Sequence, residues 1–254
     1  MPVAAFINGI CPDCVKGVLP ANVPNGRCPE CGYVNPVCLV IPSSDGPWKY
    51  SRELEAEFSE FESFRLMGRF GGRDPERLAN LAHAQKLYLS AYTGFAFHFM
   101  AEFTRLLDFE LDSTNIENVN GVGALNALRI LQFTECRKLS SIRGIEALDR
   151  VVSLSFALCN RLQDFSPVSF LKRLRILHIE ANSLATLSFL RGCDSLEDLA
   201  LSIGRVADGD ETPLLELPRL RDLTISTKAL PRGVAKSLSA RLPGVEVRAF
   251  TKFW

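Results

Sequence analysis

The sequence has no net charge, no long apolar run and very little histidine, and each shortage excludes something. Lysine and arginine number 29 against 29 aspartates and glutamates, so no general electrostatic pull toward nucleic acid or an anionic membrane is expected. No stretch approaches the roughly eighteen consecutive apolar residues of a membrane-spanning helix. The N-terminus lacks the basic region and apolar run of a secretory signal. Histidine occurs only at His83, His98 and His178, and none of them belongs to an HExxH zinc helix. A phosphate loop and a nucleophile elbow are missing too. GRFGGRDPE, residues 68–76, is Gly-rich but matches neither GxGxxG nor a P-loop, and reads as a turn. Nothing in the residue patterns asks for an enzyme.

Cysteine is not scarce. Four of the eight stand as CPDC (Cys11, Cys14) and CPEC (Cys28, Cys31), with thirteen residues between the pairs. Two intervening residues let a tight turn aim both thiolates at one ion. Four soft thiolates close a tetrahedral zinc site and leave no position for water or substrate. The redox use of Cys-x-x-Cys needs a βαβ setting, which is absent here. Residues 9–36 resemble the zinc-ribbon family, which implies one structural Zn2+ on Cys11, Cys14, Cys28 and Cys31, with each knuckle at a hairpin tip. Cys38 falls off the pattern and reads as a buried thiol. Paired cysteines in front and single ones scattered through hydrophobic segments point to a reducing, cytoplasmic setting.

The rest of the chain repeats itself. From Leu128 it runs LRILQFTECRKLSSIRGIEALDR, from Val151 VVSLSFALCNRLQDFSPVSFLKR, and from Leu174 LRILHIEANSLATLSFLRGCDS. These share the frame L-x-x-L-x-L-x-x-[CN]-x-x-L at a period of 22 to 23 residues. The frame continues at Leu196, Leu220 and Leu242, and extends back to Leu106, Ala84 and, more degenerately, Phe61. About nine strand units result. The pattern resembles the leucine-rich-repeat family, which implies an α/β solenoid with a parallel sheet on its concave face and helices or irregular turns on the convex one.

The physics of the pattern stands without the family name. Apolar fourth and sixth positions share one face of a short strand, and a later apolar residue such as Leu139, Leu162 or Leu184 brings the chain back to the same core. Stacked units bury what no single unit could close. The ninth position, Cys136, Cys159 and Asn182, points inward at a turn toward backbone groups of the neighbouring coil. The expected organisation is a zinc ribbon over 1–40, a linker and N-terminal cap over 41–60, and a solenoid over 61–254. In the middle segment Pro42, Gly46 and Pro47 mark a turn, and Leu54, Phe58 and Phe61 recur at helical spacing. Phe250, Phe253 and Trp254 are expected to close the far end. Whether the ribbon caps the solenoid or is tethered independently stays open.

Strand phase also selects a surface. If the fourth and sixth positions face inward, the third, fifth and seventh face the concave side. Those positions hold Asp108, Glu110 and Asp112 in one unit, Gln132 and Ser155 in the next two, then His178 and Glu180, and finally Asp198 and Asp222. Glu135 stands beside them and Tyr88 lies within the same face. Basic residues, Arg65, Lys86 and Arg248, come toward the ends. An acidic inner strip with an aromatic suits capture of a basic protein, and a solvated sheet is the plainer alternative. Among non-enzymatic binding proteins, an immunity-type inhibitor that neutralises a toxin is one expectation, by analogy of fold. The other class is a nucleic-acid-associated protein that reads through its ribbon. It is weakened because only Lys16 and Arg27 are basic between Cys11 and Cys31, against Asp13 and Glu30.

Metal analysis of the purified chain should find about one zinc per chain, lost when Cys28 is replaced by Ser. A redox-active disulfide in its place would sink the ribbon.

Overall fold

A computed structural model describes residues 38–41, 63–66, 81–91 and 97–251. The expected zinc ligands Cys11, Cys14, Cys28 and Cys31, the segment 54–61 expected to be helical, and Phe253 and Trp254, expected to close the far end, lie outside them.

The described residues form one parallel sheet in which ten strands follow each other in chain order. They are β1 (Cys38–Ile41), β2 (Ser63–Leu66), β3 (Lys86–Ser90), β4 (Asp108–Asp112) and β5 (Ile130–Thr134). Then come β6 (Ser153–Ala157), β7 (Ile176–Ala181), β8 (Asp198–Ile203), β9 (Asp222–Ser226) and β10 (Glu246–Phe250). Period two works as the frame requires. In β4, Phe109 and Leu111 are fully buried while Asp108, Glu110 and Asp112 are only half-buried. The same pair of inward positions holds Leu131 and Phe133, Leu154 and Phe156, Leu177 and Ile179, and Leu199 and Leu201, all buried.

Return arms carry each strand back to the next. They are mostly single 3-10 turns, at Val122–Ala124, Ile145–Ala147, Ser166–Phe170 and Ser188–Gly192. True helix occurs only later among the described residues, as α1 (Thr212–Leu215) and α2 (Val234–Arg241). The core between sheet and return arms contains a run of rings. Phe133 stacks on Phe156 at 5.2 Å, Phe156 meets Phe165 edge-on at 5.4 Å, and Phe165 lies 5.5 Å from Phe189.

Neighbouring coils are locked at strand entry. The carbonyl of Gln85 accepts from the N–H groups of both Leu107 and Asp108, at 2.8 and 3.1 Å. Leu107 does the same for Arg129 and Ile130, Arg129 for Val152 and Ser153, and Val152 for Arg175 and Ile176. Arg175 and Glu197 continue the series. Each carbonyl uses both lone pairs, so the start of one strand fixes the start of the next.

Three features differ from the sequence reading. The sheet contains a tenth strand, β1, which pairs in parallel with β2 within the stretch expected to be ribbon and linker. CLVI lacks the leucine frame, so no repeat announces it. The last repeat is displaced by two residues: Val247, rather than Val245, stands opposite Leu223. An even slip keeps the same side chains on the same face. Finally, Ala91, Ser113, Glu135 and Leu158 have φ of 56°, 52°, 50° and 58°. These left-handed kinks directly follow β3, β4, β5 and β6 and are unfavourable for residues with a Cβ. Their N–H groups hold them there, donating to Asp112, Thr134, Ala157 and Glu180 of the next coil at 2.8 to 3.2 Å.

The ninth-position cysteines behave as the frame requires. Cys136 is buried and its Sγ reaches the Leu111 carbonyl of the preceding coil at 3.7 Å, and Cys159 reaches the Phe133 carbonyl at 3.7 Å. Burial pushes the Cys193 thiol up to about 12, so it stays protonated and inert.

Close stacking leaves no room at Gly192, where an added Cβ would stand 2.5 Å from the Ser169 carbonyl oxygen. Gly192→Ala should therefore destabilise the solenoid by about 1–3 kcal/mol in urea unfolding. An unchanged midpoint would show that the coils can slide apart.

Candidate functional site: the outer face of the sheet

The strand pairings place the predicted residues in continuous rows across the outer face. One row runs Arg65, Tyr88, Glu110, Gln132, Ser155, His178, Ala200, Thr224 and Arg248, each opposite the next. A second contains Lys86, Asp108, Ile130, Ser153, Ile176, Asp198, Asp222 and Glu246. A third contains Ser90, Asp112, Thr134, Ala157, Glu180 and Ser202. Nine of the ten predicted partner-binding residues thus share this face. The tenth, Glu135, sits in the left-handed kink after β5 and pairs with Arg137 at 2.9 Å.

The rows do not form one acidic strip. Ile130, Ser153, Ser155 and Ala157 interrupt it in the middle, leaving an acidic group on β4, beside Lys86 and Tyr88 of β3, and a smaller one on β8 and β9. In the smaller group Arg248 lies 3.6 Å from Asp222 and 2.7 Å from Glu246, so much of its charge is cancelled. The interruption could be read in the sequence, because strand phase gives the residue at every outward position.

The β3–β4 group is a network. The Arg65 guanidinium lies 4.1 Å over the Tyr88 ring, a cation–π contact. The Tyr88 hydroxyl donates to Asp112 Oδ2 at 2.6 Å. Burial, and then the Asp112 carboxylate, push that hydroxyl up to about 12, which keeps it a neutral donor. On the same strand Asp108 is raised above its ordinary range by burial, against the opposing pull of Lys86 and a hydrogen bond from Gln132. Glu110, between Asp108 and Asp112, is pushed up to about 7 by burial and then by Asp108, with Arg65 opposing. Glu110 thus titrates near neutrality, beside an Asp108 that is also raised. The stack of Arg65 on Tyr88 is the part that repeat phase foreshadowed without announcing: both hold the same position in adjacent units.

The centre of the face has a different chemistry. Gln132, His178 and Glu180, expected on the concave face as partner-binding residues, are all buried there, at 9%, 4% and 8% exposure. Ser155 Oγ and His178 Nδ1 are 3.2 Å apart, whereas His178 Nε2 and Ser153 Oγ have no hydrogen-bond partner. Burial pulls His178 down to about 4 and raises Glu180, so the histidine is neutral at physiological pH. His83 lies edge-on to Phe64 at 5.5 Å.

Elsewhere, an open groove of about 790 Å³ separates the return arms after β6 and β7. Phe165 and Phe189 line it, with Phe170, 62% exposed, among its residues. Among the described residues no group of three or more His, Cys, Asp or Glu is arranged to hold a metal ion, and no helix is long and apolar enough to cross a membrane.

Comparison with known proteins supports the fold from structure alone. No family model matches the sequence, and no curated protein does so. Solved structures do. An internalin C2 from Listeria monocytogenes strain 4b F2365 superposes with a TM-score of 0.62 at 18% identity, over 78% of this chain and 84% of that one. An internalin, InlF, from the same strain gives 0.41 at 17% identity, over 85% and 80%. The functional domain of Listeria monocytogenes InlJ, described as including a cysteine ladder, gives 0.39 at 14% identity, over 65% and 34%. Register, buried leucine frame and the first of these likenesses together identify the fold as a leucine-rich-repeat solenoid.

Proposed function

We propose that the chain is a non-enzymatic protein-binding solenoid that docks a basic partner on the outer face of its sheet, over β3 and β4. The observation that carries this reading is the state of Asp108 and Glu110. Both carboxyls are held above their ordinary range despite Lys86 and Arg65 beside them. The local cations do not offset the burial of these acids, and a further cation brought by a partner would. Tyr88 gives the cluster a broad apolar body with a polar tip, the side-chain type favoured where binding energy concentrates.

Within this reading the finer assignment is an immunity-type inhibitor of a basic toxin, acting in the cytoplasm, with the zinc ribbon as cap or appendage. Carboxylates on a rigid sheet can mimic the phosphates that a nuclease recognises. The low identity to solved structures transfers the architecture only, so partner chemistry rests on this face.

Affinity capture from native lysate, with the bound proteins identified, tests the reading directly. Changing Asp108, Glu110 and Asp112 together to Lys should abolish capture of the partner while the melting temperature holds. Undiminished capture would move the site to the return side, the ends or the ribbon.

Binding should also depend on pH in one direction. Between pH 6 and 8 Glu110, at about 7, loses its proton, whereas Tyr88 at about 12 and His178 at about 4 do not change. The cluster gains negative charge as pH rises, so affinity for a basic partner should rise severalfold. Glu110→Gln should flatten the profile; an equally steep profile in that variant would place the titrating group elsewhere.

A further inference from the structure

The residues that lock the coils together also gather positive charge. Arg175, Glu197 and Arg221 are consecutive members of the strand-entry ladder, so their side chains leave one edge of the solenoid in a column. Glu197 accepts from Arg175 through both oxygens, at 3.0 and 2.6 Å, and lies 4.0 Å from Arg221. The hydrogen bond from Arg175, then the charges of Arg175, Arg221 and Arg219, hold its carboxyl below the ordinary range. Three guanidiniums therefore address one carboxylate, and the edge already shows what it does with such a group.

A second column lies two residues earlier. Arg150, Arg173, Ser195 and Arg219 each stand three residues before Ser153, Ile176, Asp198 and Asp222, which face one another across the sheet. All three arginines are exposed. Lys172, beside Arg173, donates to the carbonyls of Ser169 and Gly192 at 3.0 and 3.3 Å, which orients its ammonium without neutralising it. Asp149 and Asp194 share these turns, and positive charge still exceeds negative along the edge. At roughly 5 Å per coil, Arg150 and Arg173 are neighbours and Arg219 stands about 10 Å further on.

We propose that this strand-entry edge is a second docking surface, which binds an acidic polypeptide segment of a partner protein through Arg150, Arg173 and Arg219. Guanidinium forks match carboxylates in bidentate geometry. On an extended segment, alternate side chains about 7 Å apart can reach successive coils. Nucleic acid fits less well. The turns 149–152, 172–175, 194–197 and 218–221 carry no aromatic ring for bases to stack on. Asp149, Asp194 and Glu197 would also repel a continuous phosphate chain.

Fluorescein-labelled hexaglutamate is the probe, read by anisotropy on the full chain in about 50 mM salt, where screening is weak. A labelled duplex of about 20 base pairs is the comparison. The chain should bind hexaglutamate more tightly than the duplex. Arg150→Glu, Arg173→Glu and Arg219→Glu together should weaken peptide binding by about tenfold or more. Ser195→Arg, which completes the column, should tighten it severalfold. No peptide binding, an unchanged affinity in either variant, or tighter binding of the duplex would each overturn the proposal. The last outcome would assign the edge to nucleic acid.

Discussion

One carbonyl serving two N–H groups at the start of each strand from β4 to β9 is the constraint on which the rest of this molecule depends. From Gln85 to Glu197 the same arrangement recurs in six successive coils. A parallel ladder alone fixes the direction of pairing. The shared acceptor also fixes where each strand begins, and a one-residue slip would send every buried side chain to the wrong face. Hence Leu131, Leu154, Leu177, Leu199 and Leu223 lie directly opposite one another across five coils. Hence, too, the left-handed kinks at Ala91, Ser113, Glu135 and Leu158 persist: the ladder bonds made by their own N–H groups outlast the local strain.

A fixed register has a consequence for charge. Whatever residue type recurs at one position of the repeat becomes a column in space, so a mild compositional bias turns into a local field. Carboxylates collect on the outward face of β4, and guanidiniums at the strand-entry edge. The balance of 29 against 29 therefore does not exclude local surfaces of either sign. Net charge bears on solubility and non-specific association. It is silent about recognition in a molecule whose repeats sort charge by position.

Much of this was legible in the residues because period two and a fixed repeat length are strong, redundant signals. Phe109 and Leu111 announce their own face, and by phase they announce that of Asp108, Glu110 and Asp112. The unread parts have physical reasons. Cys38–Ile41 is a strand because β2 offers an edge to pair with, and CLVI itself contains no frame. The kinks after β3 to β6 occupy positions without glycine, so no residue type marks them. In the last repeat Leu242 mimics a frame leucine, yet pairing is set two residues later by Asp222 and Glu246. Phase gives the direction of a side chain but not its surroundings. It placed Gln132, His178 and Glu180 on the correct face and could not show that each is buried there.

On the proposed function, burial and not acidity alone would make the β3–β4 cluster discriminating. An exposed carboxylate pays little to ionise, and a cation near it gains correspondingly little in high dielectric. Asp108 and Glu110 lose hydration in the folded chain, and Lys86 and Arg65 return only part of it. Arg65 is also drawn over the Tyr88 ring, and Tyr88 is tied to Asp112. The built-in cation is thereby fixed to one side of the cluster. A docking cation would restore the charged forms by direct attraction, at the cost, below about pH 7, of the proton that Glu110 must release. By linkage, whatever lowers the Glu110 pKa on binding raises affinity as that proton leaves. A partner lacking a cation at this place would bury the same two acids further without that attraction. On that reading, selectivity for charge at β4 would follow from desolvation that the fold imposes before any partner arrives.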